Sequence, residues 1–385
     1  MKALPLIAPR PETGIKHADH YLPYWDSLSK TGVRSHYVSC FVEVHTDEGI
    51  TGIGECTVRE VPRAHAQIIE ELLKPILIGN DPFDVEVLWE RMFATLRTRG
   101  HLGGFFVEAI SGVDIALWDI MGKATNLPVH KLLGGNHDDK VKAYASSVYF
   151  GEPSQVVEEV RRLVEMGHDQ VKLKVGMGQM GLGRNADIEN IKAIRDAVGY
   201  DIDLMVDANS AFTAESAIRF GRKLERYEVY WFEEPVPPDD IDGYAEVARV
   251  LDIPIAGSES RFAKYDFRDL IARRAVDIVE PDIARCGGIT ECRKIAAMAE
   301  AYDLCYTPHN GLSGAGCRAA TLQFVPHLPQ ELFLTYEYMY RPSVFGTAIL
   351  TKPLEKFKDG YLELPKEPGI GIELKRDVVS KYLVT

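Results

Sequence analysis

The 385-residue sequence contains no apolar run long enough to cross a bilayer, so no transmembrane helix is expected. It also lacks an excess of positive charge. Its 44 Lys and Arg against 57 Asp and Glu leave a formal net charge of -13. That balance argues against nucleic-acid binding as the main task, because neutralising phosphates takes basic stripes. An anionic substrate stays open, since a bound metal can invert the local field. Six cysteines (Cys40, Cys56, Cys286, Cys292, Cys305 and Cys317) are scattered, with no close C-x-x-C pair. Reduced, buried thiols are the expectation. The first ten residues carry Leu4, Leu6 and Ile7 between prolines, without a long apolar core or a small-residue cleavage pattern. No signal peptide is expected, and the expected compartment is the cytoplasm.

The chain does have strong patterning of two kinds. Tyr37 to Thr46 has strand composition, Asp47-Glu48-Gly49 offers a turn, and Ile50 to Glu55 reads as the returning strand. Helical patterns follow over Ala64 to Leu73, Asp84 to Thr95 and Phe105 to Met121, and Gly134-Gly135 looks like a boundary. Beyond it, strands and helices alternate. Strand candidates are Val141 to Ser147, Gln170 to Val175, Asp203 to Ala208, Val229 to Glu233, Ile253 to Gly257, Val276 to Glu280, Leu304 to Thr307 and Glu331 to Glu337. A helical pattern separates each consecutive pair. Eight strands in this alternation imply a parallel sheet closed as a (β/α)-barrel. An open doubly wound sheet would need a Gly-rich phosphate turn after its first strand, and Ser147-Val148-Tyr149 is not one. The expected organisation is an α+β capping domain over 1–135, the barrel over 136–340, and a turn-rich return over 341–385 that packs on the cap.

Active sites of such barrels lie at the C-terminal strand ends. Here those ends carry Lys172 and Lys174, Asp207 and Asn209, Glu233 and Glu234, Ser258 and Glu259, Glu280 and Asp282, His309 and Asn310, and Glu337. Any one of these could be a solvated loop carboxylate or a helix cap. Seven consecutive strand ends would make a costly cluster of buried charge unless something compensates it, and a divalent cation would. Asp207, Glu233 and Glu259 on adjacent strands offer three hard oxygen donors, which suit Mg²⁺ and not zinc. Lys172 and Lys174 are two apart on a strand and share a face. Two neighbouring ammonium groups near a metal lower a lysine pKa and make a usable base. Asp282 beside His309 orients an imidazole for acid/base work. Asn209 and Asn310 stand by as donors. Glu337 either balances charge or, if protonated, donates to a substrate oxygen.

Taken together, the segments VKLKVG, VDAN, WFEEP, GSES, EPDIARCGGITE and TPHN resemble the enolase superfamily, within it the mandelate racemase subgroup, over nearly the whole chain. The resemblance implies Mg²⁺ on Asp207, Glu233 and Glu259. It implies Lys174 as acid/base on one substrate face, Lys172 against the substrate carboxylate, and His309 oriented by Asp282 on the other face. Glu337 would sit near the developing charge. Branches with a lysine on the sixth strand are disfavoured, since Asp282 stands there.

The implied reaction removes the proton α to a carboxylate, a step that a metal on the carboxylate oxygens assists. If the second group protonates a departing β-hydroxyl, a sugar acid (aldonate or aldarate) becomes a 2-keto-3-deoxy acid. If it returns a proton to the opposite face, the enzyme is a racemase or epimerase, and a cycloisomerase could use the same site. A non-catalytic sugar-acid binding barrel is the reading of another class. The capping domain is expected to set specificity through a lid over His17 to Trp25, with His17, His20, Tyr21 and Tyr24 as substrate contacts. Arg97 to Gly104, with Arg99, would add to it. Such polar lids suit hydroxyl-rich ligands. The partner is thus a small carboxylate, with no nucleic acid and no membrane, and the resemblance implies a homo-oligomer.

Overall fold

The structure is a computed structural model that describes residues 1–9, 36–176, 178, 183, 185–311 and 313–384. It begins with an antiparallel sheet in the order β1 (Lys2–Pro9), β2 (His36–His45), β3 (Thr51–Cys56). The β2–β3 hairpin lies where the turn signal places it, and Gly49 takes the left-handed conformation at φ 81°. The first strand is a finding beyond the sequence reading, which took its prolines as interruptions. Pro5 and Pro9 fit because β1 is the edge of the sheet, where a missing backbone donor costs no ladder bond.

Helices α1 (Pro62–Ile68), α2 (Val85–Arg97) and α3 (Phe105–Thr125) complete the cap. The pattern over Ala64 to Leu73 resolves into α1 and a π-helical turn over Ile69–Leu73. Nearly every residue of α3 is buried, because the helix lies on the sheet with backbone close to backbone. A Cβ on Gly54 would come within 1.9 Å of Gly112 O, so only glycine lets β3 approach this helix. Asp119, inside α3, accepts from the backbone N–H of Ile53 and of Ile370, each at 2.8 Å, tying the helix to both the sheet and the C-terminal segment.

Eight parallel strands follow: β4 (Lys140–Val148), β5 (Gln170–Lys174), β6 (Asp203–Asp207), β7 (Phe232–Glu233), β8 (Ile255–Gly257), β9 (Ile278–Val279), β10 (Cys305–Tyr306) and β11 (Tyr336–Met339). Between them lie α4 (Pro153–Glu165), α5 (Ala186–Val198), α6 (Ala214–Leu224), α7 (Ile241–Val250), α8 (Ala263–Ala272), α9 (Gly288–Ala301) and α10 (Ala315–Phe324). Each strand from β4 to β10 pairs with the next, and β11 pairs with β4. Tyr306 N donates to Leu332 O at 2.8 Å and Leu334 N to Tyr306 O at 3.1 Å, carrying the pairing from β10 to the run into β11. This is a (β/α)-barrel with eight strands and seven intervening helices. Inside it Tyr144, Met205, Trp231, Ala256 and Ile278 pack as an apolar layer, which forms the floor of the polar end above.

After β11 the chain returns. Strands β12 (Phe357–Lys358) and β13 (Tyr361–Glu363) form a hairpin, and β13 lies antiparallel beside β4. The last helix, α11 (Arg376–Tyr382), leads to Leu383, which bridges to Leu6, and Val384 N donates to Pro5 O at 3.0 Å. The return thus touches both the first barrel strand and the edge strand of the cap. Among the described residues, no helix is long and apolar enough to cross a membrane.

Candidate active site

The register of the parallel strands brings the polar strand ends together. Lys174 is paired with Asp207, and Asp207 with Glu233, across neighbouring strands. Just past three of the ends the backbone turns left-handed at residues other than glycine: Asn209 (φ 40°), Glu234 (φ 41°) and Ser258 (φ 102°). Such conformations cost energy, and their clustering marks a site the surrounding fold holds in place.

Lys172 is buried, with its Nζ 2.6 Å from Glu233 Oε1, 3.0 Å from Glu337 Oε1 and 3.1 Å from Tyr144 OH. Lys174 donates to Asp207 Oδ2. Asn209 braces that carboxylate, with its backbone N 2.8 Å from Asp207 Oδ1 and its Nδ2 3.2 Å from Oδ2. Asn310 acts on Glu337: its N donates to Oε2 at 2.5 Å and its Nδ2 to the backbone O at 3.1 Å. Ser146 Oγ donates to Glu337 Oε1 at 2.7 Å. His309 Nδ1 lies 2.9 Å from Asp282 Oδ2, and its Nε2 3.0 Å from Glu259 Oε2. Arg59, from the cap, reaches Glu259 Oε1 at 3.1 Å.

These contacts set the charges. Burial pulls the His309 pKa down, but Glu259, Glu337 and Asp282 outweigh it and push it up to about 10, so the ring is an imidazolium at neutral pH. Burial raises Glu337, yet Lys172, His309 and its donors bring it down to about 2. Both Glu337 oxygens accept in this geometry, Oε1 from Ser146 and Lys172 and Oε2 from Asn310 N, as the charge-balancing alternative expects. Lys172 and Lys174 are each held by carboxylates. Burial lowers both pKa values, but Glu233 and Glu337 around Lys172, and Asp207 beside Lys174, raise them above the ordinary lysine value. Carboxylate contact outweighs the mutual repulsion of the two ammonium groups here.

Asp207, Glu233, Glu234, Glu259, Glu280, Asp282 and Glu337 are all buried at this end of the barrel. Against these seven carboxylates stand the cationic groups of Lys172, Lys174, His309 and Arg59. The surplus has a visible location. Glu280 Oε2 is buried without a hydrogen-bond partner, and burial raises Glu234 and Glu280 well above the usual carboxylate range and Glu233 to about 7. Among the described residues, no three His, Cys, Asp or Glu side chains stand gathered as a metal cluster, since Asp207, Glu233 and Glu259 each turn to a cation of the chain itself. The donor set nevertheless fits a hard divalent cation: oxygen donors on adjacent strands, and buried negative charge beyond what the chain compensates.

His17, His20, Tyr21 and Tyr24 lie outside the described residues. Arg99 is exposed in the turn after α2. Its segment rests on the loop after β8, where a Cβ on Gly103 would come within 2.6 Å of the Phe262 ring. Sequence reasoning did not single out Thr57 and Arg59, which enter from the cap, nor Ser146 and Tyr144 on β4. The only signal for the first two was a hydroxyl and a cation just after a cap strand. Nothing local indicated that this strand points into the barrel.

A ring of strands with paired acids and bases at its C-terminal mouth, covered by an α+β cap, defines a class of proton-transfer barrel. Residues 25–134 match the mandelate racemase / muconate lactonizing enzyme N-terminal domain, and residues 155–378 match the enolase C-terminal domain-like family. The chain belongs to the enolase superfamily, in its mandelate racemase branch. It is 35% identical over 363 residues to an arabinonate dehydratase from Saccharolobus solfataricus, covering 93% of this chain and 94% of that one. It is 34% identical over 373 residues to a D-galactarolactone cycloisomerase from Agrobacterium fabrum, covering 94% of each. A racemase from Streptomyces coelicolor A3(2), solved with bound magnesium, superposes with a TM-score of 0.85 at 28% identity, covering 100% of this chain and 99% of that one. Members of the superfamily use Mg²⁺.

Proposed function

We propose that this chain is a Mg²⁺-dependent dehydratase of sugar acids, converting an aldonate or aldarate to a 2-keto-3-deoxy acid. The observation that carries this reading is the pairing of Lys174 on the second barrel strand with a charged, Asp282-oriented His309 on the seventh. The two reach the barrel mouth from different sides, around a pool of uncompensated carboxylates. The dehydratase among its relatives supports the same choice.

Asp207, Glu233 and Glu259 would hold the metal. When bound, Mg²⁺ supplies positive charge to the substrate carboxylate and competes with Lys174 for Asp207. Lys172, fixed by Glu233 and Glu337, presents an ammonium to the substrate carboxylate. Lys174 is placed to take the proton from C2. Asp207 holds it as an ammonium, so it must first lose its own proton, which engaging Asp207 with the metal would favour. His309 gives its Nε2 proton to the C3 hydroxyl, which leaves as water, and the enol product ketonises. Asp282 on Nδ1 leaves Nε2 to present a proton toward the site, which suits His309 to the role of acid.

Proton NMR in D₂O, with Mg²⁺ and a panel of five- and six-carbon aldonates and aldarates plus mandelate, tests this. Loss of an α-proton signal with new 2-keto-3-deoxy resonances is the expected result. Exchange or rearrangement without loss of water would favour the racemase or cycloisomerase reading, which the cycloisomerase relative keeps in view. Absence of exchange in every pool would overturn the dehydratase reading for these acids.

A further inference from the structure

The cap meets the barrel at Thr57, directly after β3. Its backbone N donates to Ala284 O at 2.9 Å, and its hydroxyl lies 2.9 Å from Asp282 Oδ1. Thr57 is 4% exposed and Asp282 is fully buried. Oδ1 also accepts from Ala284 N, and in this contact the Thr57 hydroxyl is the donor. Its one proton is then committed, and Ser313 Oγ, 3.2 Å away, must donate to it. The result is a directed line from Ser313 through Thr57 to Asp282 Oδ1, while Asp282 Oδ2 faces His309 Nδ1 at 2.9 Å.

We propose that Thr57 is a positioning residue for the Asp282–His309 pair, so that the docked cap is a working part of the barrel's acid/base machinery. This rests on the proton-transfer reading of that pair. The terminal torsion of an aspartate is broad, and the carboxylate plane must be held by its partners. Three donors meet Oδ1: the backbone N–H of Ala284 at 2.9 Å and the longer Cys317 thiol at 3.6 Å from the barrel, and the hydroxyl of Thr57 at 2.9 Å from the cap. With the plane fixed, Oδ2 accepts from Nδ1, and Nε2 is left toward the site. The cap also grips the loop that follows His309. Glu55, two residues before Thr57, accepts from Gly314 N at 2.9 Å and Cys317 N at 3.0 Å. A shift of β3 against the barrel therefore moves the brace and the loop together.

The test compares Thr57→Val, which keeps the shape and removes the donor, with Thr57→Ser, which restores it. Thr57→Ala serves as a smaller second deletion should the valine not fold. On the aldonate that the wild type converts with Mg²⁺, Thr57→Val is expected to lower kcat about tenfold to hundredfold, the range for a hydrogen bond to a charged group. KM should stay within about twofold and Thr57→Ser should return kcat to within about threefold. A second measurement needs no substrate. In ¹⁵N-histidine-labelled protein, the ring signals that vanish in His309→Asn belong to His309, and they should shift in Thr57→Val or Thr57→Ala but not in Thr57→Ser. Unmoved His309 signals in a folded deletion variant overturn the inference, as does an equal loss of kcat in the valine and serine variants. If the signals move while the wild type converts none of the acids, the positioning role stands and the proposed activity fails.

Discussion

Asp119 and Glu55 in the cap are buried as fully as Asp207 and Glu233 in the barrel mouth, yet the two pairs are held in different ways. Asp119 accepts from two backbone N–H groups and from Lys123. Glu55 accepts from two backbone N–H groups and from Ser39 Oγ at 2.6 Å. The backbone donors belong to the framework and cannot turn away, so each cap carboxylate is a clip between distant segments. Asp207 and Glu233 each accept from a fixed donor, Asn209 and the Trp231 indole N–H respectively, and from a lysine ammonium, and Glu280 beside them has an oxygen with no partner. A lysine can exchange its carboxylate for a ligand. Backbone pairing marks structure here, and side-chain pairing with surplus charge marks the site.

The comparison breaks if removing a barrel group unfolds the protein or removing a cap group spares it. Lys174→Ala and His309→Asn are each expected to cut kcat by about 10²- to 10⁴-fold in a protein that still melts cooperatively, as steady-state rates and thermal scans would show. Asp119→Ala should do the opposite. It leaves two buried backbone donors unpaired and Lys123 with only Thr51 O, at a cost on the order of 3–5 kcal/mol in urea unfolding, with kcat per folded molecule retained.

Glu55 sharpens the contrast through pH. Burial outweighs its hydrogen bonds and raises its pKa to about 7. Between the ordinary carboxylate value of 4.5 and about 7, the folded state keeps a proton that the unfolded chain has released. Its contribution is fully present below that window and is lost as pH rises through it, by on the order of 3 kcal/mol. Unfolding curves from pH 4 to 8 should show this fall, and Glu55→Gln should flatten it. A metal addresses the barrel alone: Mg²⁺ at a hundred times its Kd should stabilise the wild type by about 2.7 kcal/mol, and the same concentration should do little for Asp207→Asn. Breaking the exposed Arg219–Glu215 pair on α6 belongs to neither class, and Arg219→Ala should leave both the melting temperature and kcat unchanged.

Much of this architecture was readable before any coordinates. The helix over Ala186–Val198 has the bounds its periodicity suggested; six of the eight barrel strands lie within the expected segments, while β4 overruns its segment by one residue at each end and β11 runs two residues past Glu337. Apolar spacing and turn residues act locally, so they leave a trace in the sequence. The strand over Lys2–Pro9 left none, because whether Pro5 is tolerated depends on its lying at a sheet edge. The adjacency of Lys174, Asp207 and Glu233, and of Asp282 and His309, followed from strand order once a barrel was assumed.

By itself the sequence determined the alternation of strands and helices, the chemistry at each strand end, and so the kind of reaction the barrel mouth can support. Only the tertiary structure decided which charges meet. Glu259 turns to His309 and to Arg59, 200 residues away in the chain, and Thr57 braces an aspartate 225 residues away. It also decided the direction in which each buried group is pushed: against the effect of burial, carboxylate partners raise His309 and both lysines, and cationic partners lower Glu337. Periodicity and composition are properties of a short stretch of chain, whereas the field at a buried group is a sum over everything that folding brings near it.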